Sequence, residues 1–247
     1  MTHANHLLAR LDSKDRRLLL AMGESVILAP GLVLCERGED TASVFFPTAG
    51  AVLLSVPADR TSGLGVLLVG REGMLGMHRV LGGSLALLQA VVLTRGVTLR
   101  IDATAFSGAT AGSATLHRAM LNYVGVVQNQ IAASAACARF HAIGPRLAGW
   151  LLMTRDRGSA DSFHLTQDTL AGMLEVRRVG VTVAAHDLQR LHLIDYRRGE
   201  VTVLDVPGLR TFAGESYAVD PVAENDVRRS GRSRQNRRRR LAATQSL

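Results

Sequence analysis

Short apolar runs recur along the first part of the chain, up to about residue 113, and turn-forming residues separate them. The runs are rich in valine and leucine, and they include residues 44–46, 52–54, 66–69 and 97–99. Many short β-prone runs at this spacing are typical of an antiparallel sandwich or barrel. We therefore expect a β-rich domain over residues 1–113, which begins with a short helix at residues 13–22.

The spacing of apolar positions changes after residue 113. Apolar or small residues recur at threes and fours up to about residue 138, without a proline, which predicts one long helix. A heptad-like stripe on this helix is formed by Met120, Val124, Val127, Ile131, Ser134 and Ala138. We expect two copies of the chain to pair along the stripe over residues 114–140, as parallel helices of a homodimer. The alternative is that the stripe packs on the chain's own β-domain.

Two short helical patterns follow each other closely between residues 165 and 191. Thr166 is a good N-cap for the first helix, and Leu165 and Leu170 occupy the two positions of a hydrophobic staple. The second helix starts near Arg177, and the small residue Ala171 lies where the two helices are expected to cross. The inward face of the second helix is formed by Val181, Ala184 or Ala185, and Leu188. This arrangement predicts a helix-turn-helix.

Two β-prone runs flank Arg198-Gly199 directly after these helices, and they predict a hairpin with a basic tip. A helix-turn-helix followed by such a hairpin is a winged helix, which we expect over residues 141–218. In this fold the N-terminal end of the second helix enters the DNA major groove. Arg177 and Arg178 can then reach a guanine edge or phosphates, while Arg197 and Arg198 meet the backbone. Winged helices also serve as protein-protein modules, but two arginine pairs on the contact edge favour double-stranded DNA.

The formal net charge of +8 equals the charge of the eight arginines that follow Asp226 near the C-terminus. Eight arginines lie there, at positions 228, 229, 232, 234, 237, 238, 239 and 240. Removing these eight from the 29 basic residues leaves 21, equal to the 21 acidic residues, so the remaining chain is neutral. We expect residues 219–247 to be a disordered, arginine-rich tail. Such a tail either keeps the protein soluble or adds non-specific DNA affinity by releasing counterions.

Several functional classes are disfavoured by what the sequence lacks. No apolar stretch approaches the roughly 20 residues that span a bilayer, and the N-terminus has no secretory signal pattern, so we expect a cytoplasmic protein. Cys35 and Cys137 have no Cys or His at metal-ligand spacing, and we expect reduced, partly buried thiols rather than a metal site. A redox-sensing thiol is the alternative. No catalytic constellation is present, so we expect neither an enzyme nor a cofactor.

The chain resembles the Crp/Fnr family of bacterial regulators from about residue 7 to residue 217. The densest matches are residues 135–141, 146–153, 165–167, 176–185 and 193–199. The resemblance implies an α+β fold with an antiparallel β-roll or jelly-roll sensor domain, a long dimerisation helix and a C-terminal winged helix. It also implies a homodimer that binds promoter DNA and contacts RNA polymerase.

The resemblance assigns roles to individual residues of the winged helix. Arg178 falls on the guanine-reading arginine of the family, and Val179 and Val183 fall on positions where charged side chains usually read bases. With Arg177 and Thr182 they form the base-reading set that we expect, and the operator should differ from the best-known family consensus. Thr166, Gln167 and Arg198 fall on backbone-contacting positions. Glu175 replaces the glycine common in the turn, which predicts mild strain if φ is positive there.

The resemblance does not extend to the nucleotide-binding residues of the β-roll. A Gly-Glu pair that holds the ribose falls on Gly76-Met77, and an Arg-Ser or Arg-Thr pair that holds the phosphate falls on roughly Ala86-Leu87. Because neither pair supplies a charge, we expect no gating by a cyclic nucleotide, and the effector is unknown. We expect His78 to be an exposed loop histidine rather than a haem ligand. The alternative function is a sensor or interaction module whose winged helix no longer reads DNA.

Overall fold

The first half of the chain folds into an antiparallel β-roll in the computed structural model, which describes residues 5–57, 63–158 and 160–218. Its strands are β1 (Glu24–Leu28), β2 (Val33–Cys35), β3 (Ser43–Pro57), β4 (Gly63–Val69) and β5 (Gln89–Asp102). They follow the order β1-β5-β3-β4, β2 also pairs with β5, and every pairing is antiparallel. The predicted β-roll is therefore confirmed. The arginine-rich tail lies outside the described residues.

The two long strands β3 and β5 bend together near their middle. Their register shifts at three points between Pro47 and Val52, and such bulges increase the local twist of a sheet. Gly50 has a φ of 82°, and a Cβ on Gly96 would collide with the carbonyl oxygen of Ala49. The bend therefore requires glycine at both positions, and it lets two strands supply both layers of the roll.

Four α-helices accompany the roll: α1 (His6–Ala9), α2 (Ser13–Met22), α3 (Ala103–Gly112) and α4 (Ala114–Phe140); a 3₁₀ helix spans Met77–Leu81. The sequence predicts α2 and α4 with these same bounds. The sequence pattern does not predict α3, although Asp102 caps it by accepting a hydrogen bond from the Ala105 amide at 2.9 Å. None of the described helices is long and apolar enough to cross a membrane.

In the structure, the predicted dimer stripe lies on the face of α4 that packs against the chain's own β-roll. Met120, Val124 and Val127 are buried against the chain's own β-roll, where Met120 and Val124 share a cluster with Phe46. Ile131 packs against the same domain. The prediction that Met120, Val124 and Val127 form the dimer contact is wrong, because heptad spacing specifies one apolar face of a helix but not what covers it. Ser134 and Ala138, the last members of the stripe, line a small cavity beside the next helix.

The second half of the chain forms a winged helix. Its elements are α5 (Ile143–Gly158), β6 (Ser162–His164), α6 (Gln167–Leu174), α7 (Arg178–Arg190), β7 (Ile194–Arg197), β8 (Glu200–Val203), α8 (Val206–Ala213) and α9 (Glu215–Ala218). The three strands form an antiparallel sheet in the order β6-β8-β7. The predicted winged helix is confirmed, and α8 is an addition that its N-cap Asp205 and Pro207 would have signalled.

The β-roll and the winged helix share one apolar cluster. Leu53, Leu68 and Leu93 of the roll belong to the same buried cluster as Trp150 of α5 and Met173 of α6. Strand β4 approaches so closely that a Cβ on Gly65 would lie 3.0 Å from the backbone oxygen of Met173. The winged helix is therefore docked on the roll through α5 and α6.

A buried ion pair also joins the two domains. Arg157 near the end of α5 is 1% exposed, and its Nε donates to Oε1 of Glu72 at 2.7 Å. The same oxygen accepts the Gly70 amide at 3.0 Å. Helix α5 continues to Gly158, and this places the side chain of Arg157 in the interior.

Candidate nucleic-acid interface

Helix α6 begins where the sequence predicts. The Thr169 amide donates to Oγ1 of Thr166 at 3.1 Å, so Thr166 is the N-cap. Leu170, Met173 and Leu174 are buried, and this anchors one side of the helix in the core. Asp168 and Thr169 in the first turn are exposed, so the N-terminal end of α6 lies at the surface.

The turn between α6 and α7 contains a left-handed residue. Glu175 has φ 49° and ψ 56°, so the sequence-based expectation of strain there is confirmed. The Glu175 amide donates to Gly172 O at 3.1 Å and the Val176 amide to Ala171 O at 3.0 Å, while Arg146 of α5 donates to Leu174 O at 2.6 Å. These bonds satisfy the C-terminal carbonyls of α6 and hold the tight turn against a cost of about 1 kcal/mol for a non-glycine residue.

Helix α7 presents the predicted base-reading residues on one side. Val181, Ala184, Ala185 and Leu188 are buried, which confirms the predicted inward face. Arg177 is the N-cap residue and lies exposed at the start of the helix. The remaining members of the predicted set, Arg178, Val179, Thr182 and Val183, are also exposed.

A polar network connects the two helices at this surface. Gln167 Oε1 accepts hydrogen bonds from Thr182 Oγ1 at 2.9 Å and from Arg178 Nε at 3.4 Å. Arg178 also lies 3.5 Å from the carboxylate of Asp168. The structure therefore brings Gln167, predicted to contact the DNA backbone, together with Arg178 and Thr182, predicted to read bases. The network orients the arginine before any ligand is bound, and this reduces the ordering cost of binding.

The wing is a two-residue hairpin turn. Arg198 and Gly199 have φ values of 53° and 85°, and two left-handed residues at the centre are the type I′ turn that suits antiparallel strands. Arg197 and Arg198 are both exposed at this tip, and Arg197 Nε donates to Asp195 at 3.1 Å. Tyr196 Oη donates to Leu165 O at 2.8 Å and so ties the wing to the start of α6. Burial raises the pKa of Tyr196, which keeps this donor protonated.

The comparisons agree with this geometry. Residues 145–212 match the family model of the Crp-like helix-turn-helix domain. The chain carries a Crp-like helix-turn-helix domain within a Crp/Fnr fold. A search of the curated proteins found no match.

The Crp/Fnr fold is also seen in solved structures. A putative Crp/Fnr transcriptional regulator from Eubacterium rectale has a TM-score of 0.66 at 16% identity, covering 84% of this chain and 97% of that one. A CRP-family regulator from Thermus thermophilus has a TM-score of 0.63 at 18% identity, covering 76% and 96%. The regulator CLP from Xanthomonas campestris, described as c-di-GMP responsive, has a TM-score of 0.63 at 13% identity, covering 79% and 100%. The resemblance to the Crp/Fnr family is confirmed.

A small cavity in the β-roll includes Gly76 and Met77, where the resemblance places the ribose contact, and most of its lining is apolar. This cavity of about 30 Å³ is lined by Leu54, Leu75, Met77 and Leu88, together with His78, Cys35 and four further residues. This space holds roughly two water molecules. Ala86, at the expected phosphate-binding position, is buried, and Leu87 is exposed. The cavity lining therefore offers no cation for a phosphate.

His78 differs from the sequence-based expectation. It is buried, not exposed, and its Nε2 lies 2.9 Å from Oγ1 of Thr41. Burial and the neighbouring Arg79 lower the pKa of His78, so the neutral imidazole is favoured. Its role is that of a hydrogen-bonded core residue.

Both thiols are partly buried, as the sequence predicts. Burial raises the pKa of Cys35 and of Cys137, which disfavours the thiolate on which redox chemistry depends. Neither the histidine nor the thiols thus supply a reactive group to the interface.

Proposed function

We propose that this chain is a sequence-specific transcription regulator of Crp/Fnr type, which binds double-stranded DNA as a homodimer in the cytoplasm. The observation that carries the proposal is the exposed side of α7, where Arg178 is oriented by Gln167 and Asp168 at the helix N-terminus. A side chain held in this way can present its guanidinium to the two acceptors on the guanine edge. Contact with RNA polymerase at promoters belongs to the same proposal and rests on the resemblance to the family.

The wing and the start of α6 complete the proposed contact. Arg197 and Arg198 extend from a rigid type I′ turn, and they would meet phosphates beside the groove that α7 enters. The N-terminal end of α6, next to Thr166 and Gln167, would hold a further phosphate. These contacts carry no sequence information, so they fix the register in which the side chains of α7 meet base edges.

A homodimer would use the side of α4 that faces away from the roll. Leu121, Gly125, Gln128, Ala132 and Ala135 repeat there at alternating spacings of four and three residues. A Cβ on Gly125 would meet no other atom within 4 Å, and Leu121 is 40% exposed although it is apolar. Small residues at this spacing allow two helices to approach closely. A two-fold axis along α4 would present two copies of α7 to successive turns of the duplex, about 34 Å apart.

We further propose that a cyclic nucleotide does not gate this protein. The support is the lining of the small cavity in the β-roll, which is mostly apolar and offers no cation to compensate the charge of a cyclic phosphate. CLP from Xanthomonas campestris is described as c-di-GMP responsive, so a cyclic dinucleotide is included in the test. Calorimetric titration with cyclic AMP, cyclic GMP and c-di-GMP should show no binding, and saturable binding of any of them would contradict the proposal.

The test of DNA recognition is selection of bound duplexes from a random library by the full chain and by a chain ending at residue 218. Both should enrich one inverted-repeat sequence, because the proposed base contacts lie in the winged helix and not in the tail. Affinity for that sequence should fall steeply with salt, as phosphate contacts require. Failure to enrich any sequence would favour the alternative, a winged helix that serves as an interaction module.

A further inference from the structure

Two valines stand out on the exposed side of α7. Val179 is 65% exposed and Val183 is 58% exposed, and they lie one helical turn apart. They border an apolar groove whose other walls include Ile143 and Phe212. Two large apolar side chains on an otherwise polar contact surface give up hydration only when an apolar partner covers them.

The proposed position of α7 limits what that partner can be. The base edges in the major groove carry hydrogen-bond donors and acceptors, and the C5-methyl of thymine is their apolar group. Valine has no donor or acceptor, so it cannot read the polar part of this pattern. Its two methyl groups can pack against a thymine methyl, and they exclude water from it.

We infer that Val179 and Val183 read thymine methyl groups, so that each half-site carries thymines next to the guanine contacted by Arg178. This inference rests on the proposed function, since it requires α7 to lie in the major groove. The neighbouring side chains support it: Thr182 precedes Val183 on the helix and donates to Gln167 at 2.9 Å, so the polar surface beside the valines is ordered. A valine is also shorter than an arginine, and the backbone of α7 must therefore approach the bases closely.

The test replaces thymines of the selected operator, one at a time, by deoxyuridine, which removes the methyl and leaves every hydrogen-bonding group in place. Binding is measured by fluorescence anisotropy at one salt concentration. Removing a methyl that is buried by valine should weaken binding roughly three- to fivefold at that position. Changing the thymine to cytosine should also weaken binding. Changing that cytosine to 5-methylcytosine should then restore part of the lost affinity.

The variants Val179→Ala and Val183→Ala assign each methyl to its reader. Each variant should lose sensitivity to deoxyuridine at one position of the half-site and keep it at the other. Val33→Ala is the matched control, because Val33 is exposed on strand β2, away from α7, and this variant should keep both sensitivities. Circular dichroism checks that the variants are folded, and folding should be unaffected because both side chains are exposed.

The outcomes separate the inference from the proposed function. Specific binding that is insensitive to deoxyuridine at every thymine would overturn the inference and leave the proposed function standing. Sensitivity that persists in both alanine variants would also overturn it, since another group would then be the reader. Absence of any sequence preference in the library selection would refute both.

Discussion

At the residue scale, three non-glycine residues in the described ranges have left-handed backbone conformations: Glu175, His192 and Arg198. All three lie at joints of the winged helix, namely between α6 and α7, between α7 and β7, and at the wing tip. The sequence signals the first because glycine is common at that turn, and the third because Gly199 follows it. His192 carries no such signal, since its conformation is imposed by the short connection that returns the chain from α7 to β7.

Replacing Glu175 with glycine should stabilise the protein. Glycine adopts φ 49° without steric cost, so Glu175→Gly is expected to raise the free energy of unfolding by about 0.5–1 kcal/mol. Glu175→Ala is the matched control, because it removes the carboxylate and keeps the Cβ that causes the strain. Urea unfolding of the three proteins measures the difference. Equal stabilisation by alanine and glycine would show that charge, not backbone strain, is the cause.

Replacing Arg178 with alanine should cost about 1–3 kcal/mol in binding to the selected operator and relax specificity at one base position. The loss comes from the guanine contact that Gln167 and Asp168 prepare. Arg190→Ala is the control, because Arg190 is exposed at the far end of the same helix and pairs with Asp187. Binding of each variant to operators with all four bases at each position measures the effect. An unchanged specificity profile would contradict the base-reading role.

At the scale of helices and strands, the sequence pattern predicts the features that depend only on residues close together along the chain. The bounds of α2, the cap of α6, the inward face of α7 and the turn of the wing are local properties, and the sequence predicts each of them. Which face of α4 packs on the roll, in contrast, depends on residues that are distant along the chain. Its heptad spacing is compatible with a partner helix and with a sheet, and the apolar interior of β3 and β5 decides between them.

The proposed dimer contact lies on the opposite face of α4, around Leu121 and Gly125. Leu121→Glu should shift the protein from dimer to monomer, because it buries two like charges at a helix contact. Leu18→Glu is the matched control, since Leu18 is 42% exposed on α2 and Leu121 is 40% exposed. Sedimentation equilibrium should give about twice 26.5 kDa for the wild type and the control, and a lower mass for Leu121→Glu. A monomeric wild type, or a dimeric Leu121→Glu variant, would contradict this contact.

At the scale of the whole molecule, the roll and the winged helix form a single packed unit. Their shared cluster joins Leu53 and Leu68 to Trp150 and Met173, and the Arg157–Glu72 pair lies beside it. The pair could not be found from the sequence, because its members are 85 positions apart and each lies in a short polar segment that reads as a turn. Only the docked arrangement explains why an arginine near the end of α5 is buried.

Removing one member of this pair should cost more stability than replacing both members. Arg157→Met fills a similar volume but leaves the largely buried carboxylate of Glu72 without its cation, which should destabilise the protein by about 3 kcal/mol or more. Adding Glu72→Gln removes the charge, while the amide oxygen can still accept the Gly70 amide at the position of Oε1. The double variant should therefore recover most of the lost stability, because replacing both members of a buried ion pair is often neutral. Urea unfolding of the wild type, both single variants and the double variant completes the cycle. Additive losses in the double variant would show that the two residues stabilise the junction independently, whereas recovery would show that they are coupled and that the loss in Arg157→Met comes from the unpaired charge of Glu72.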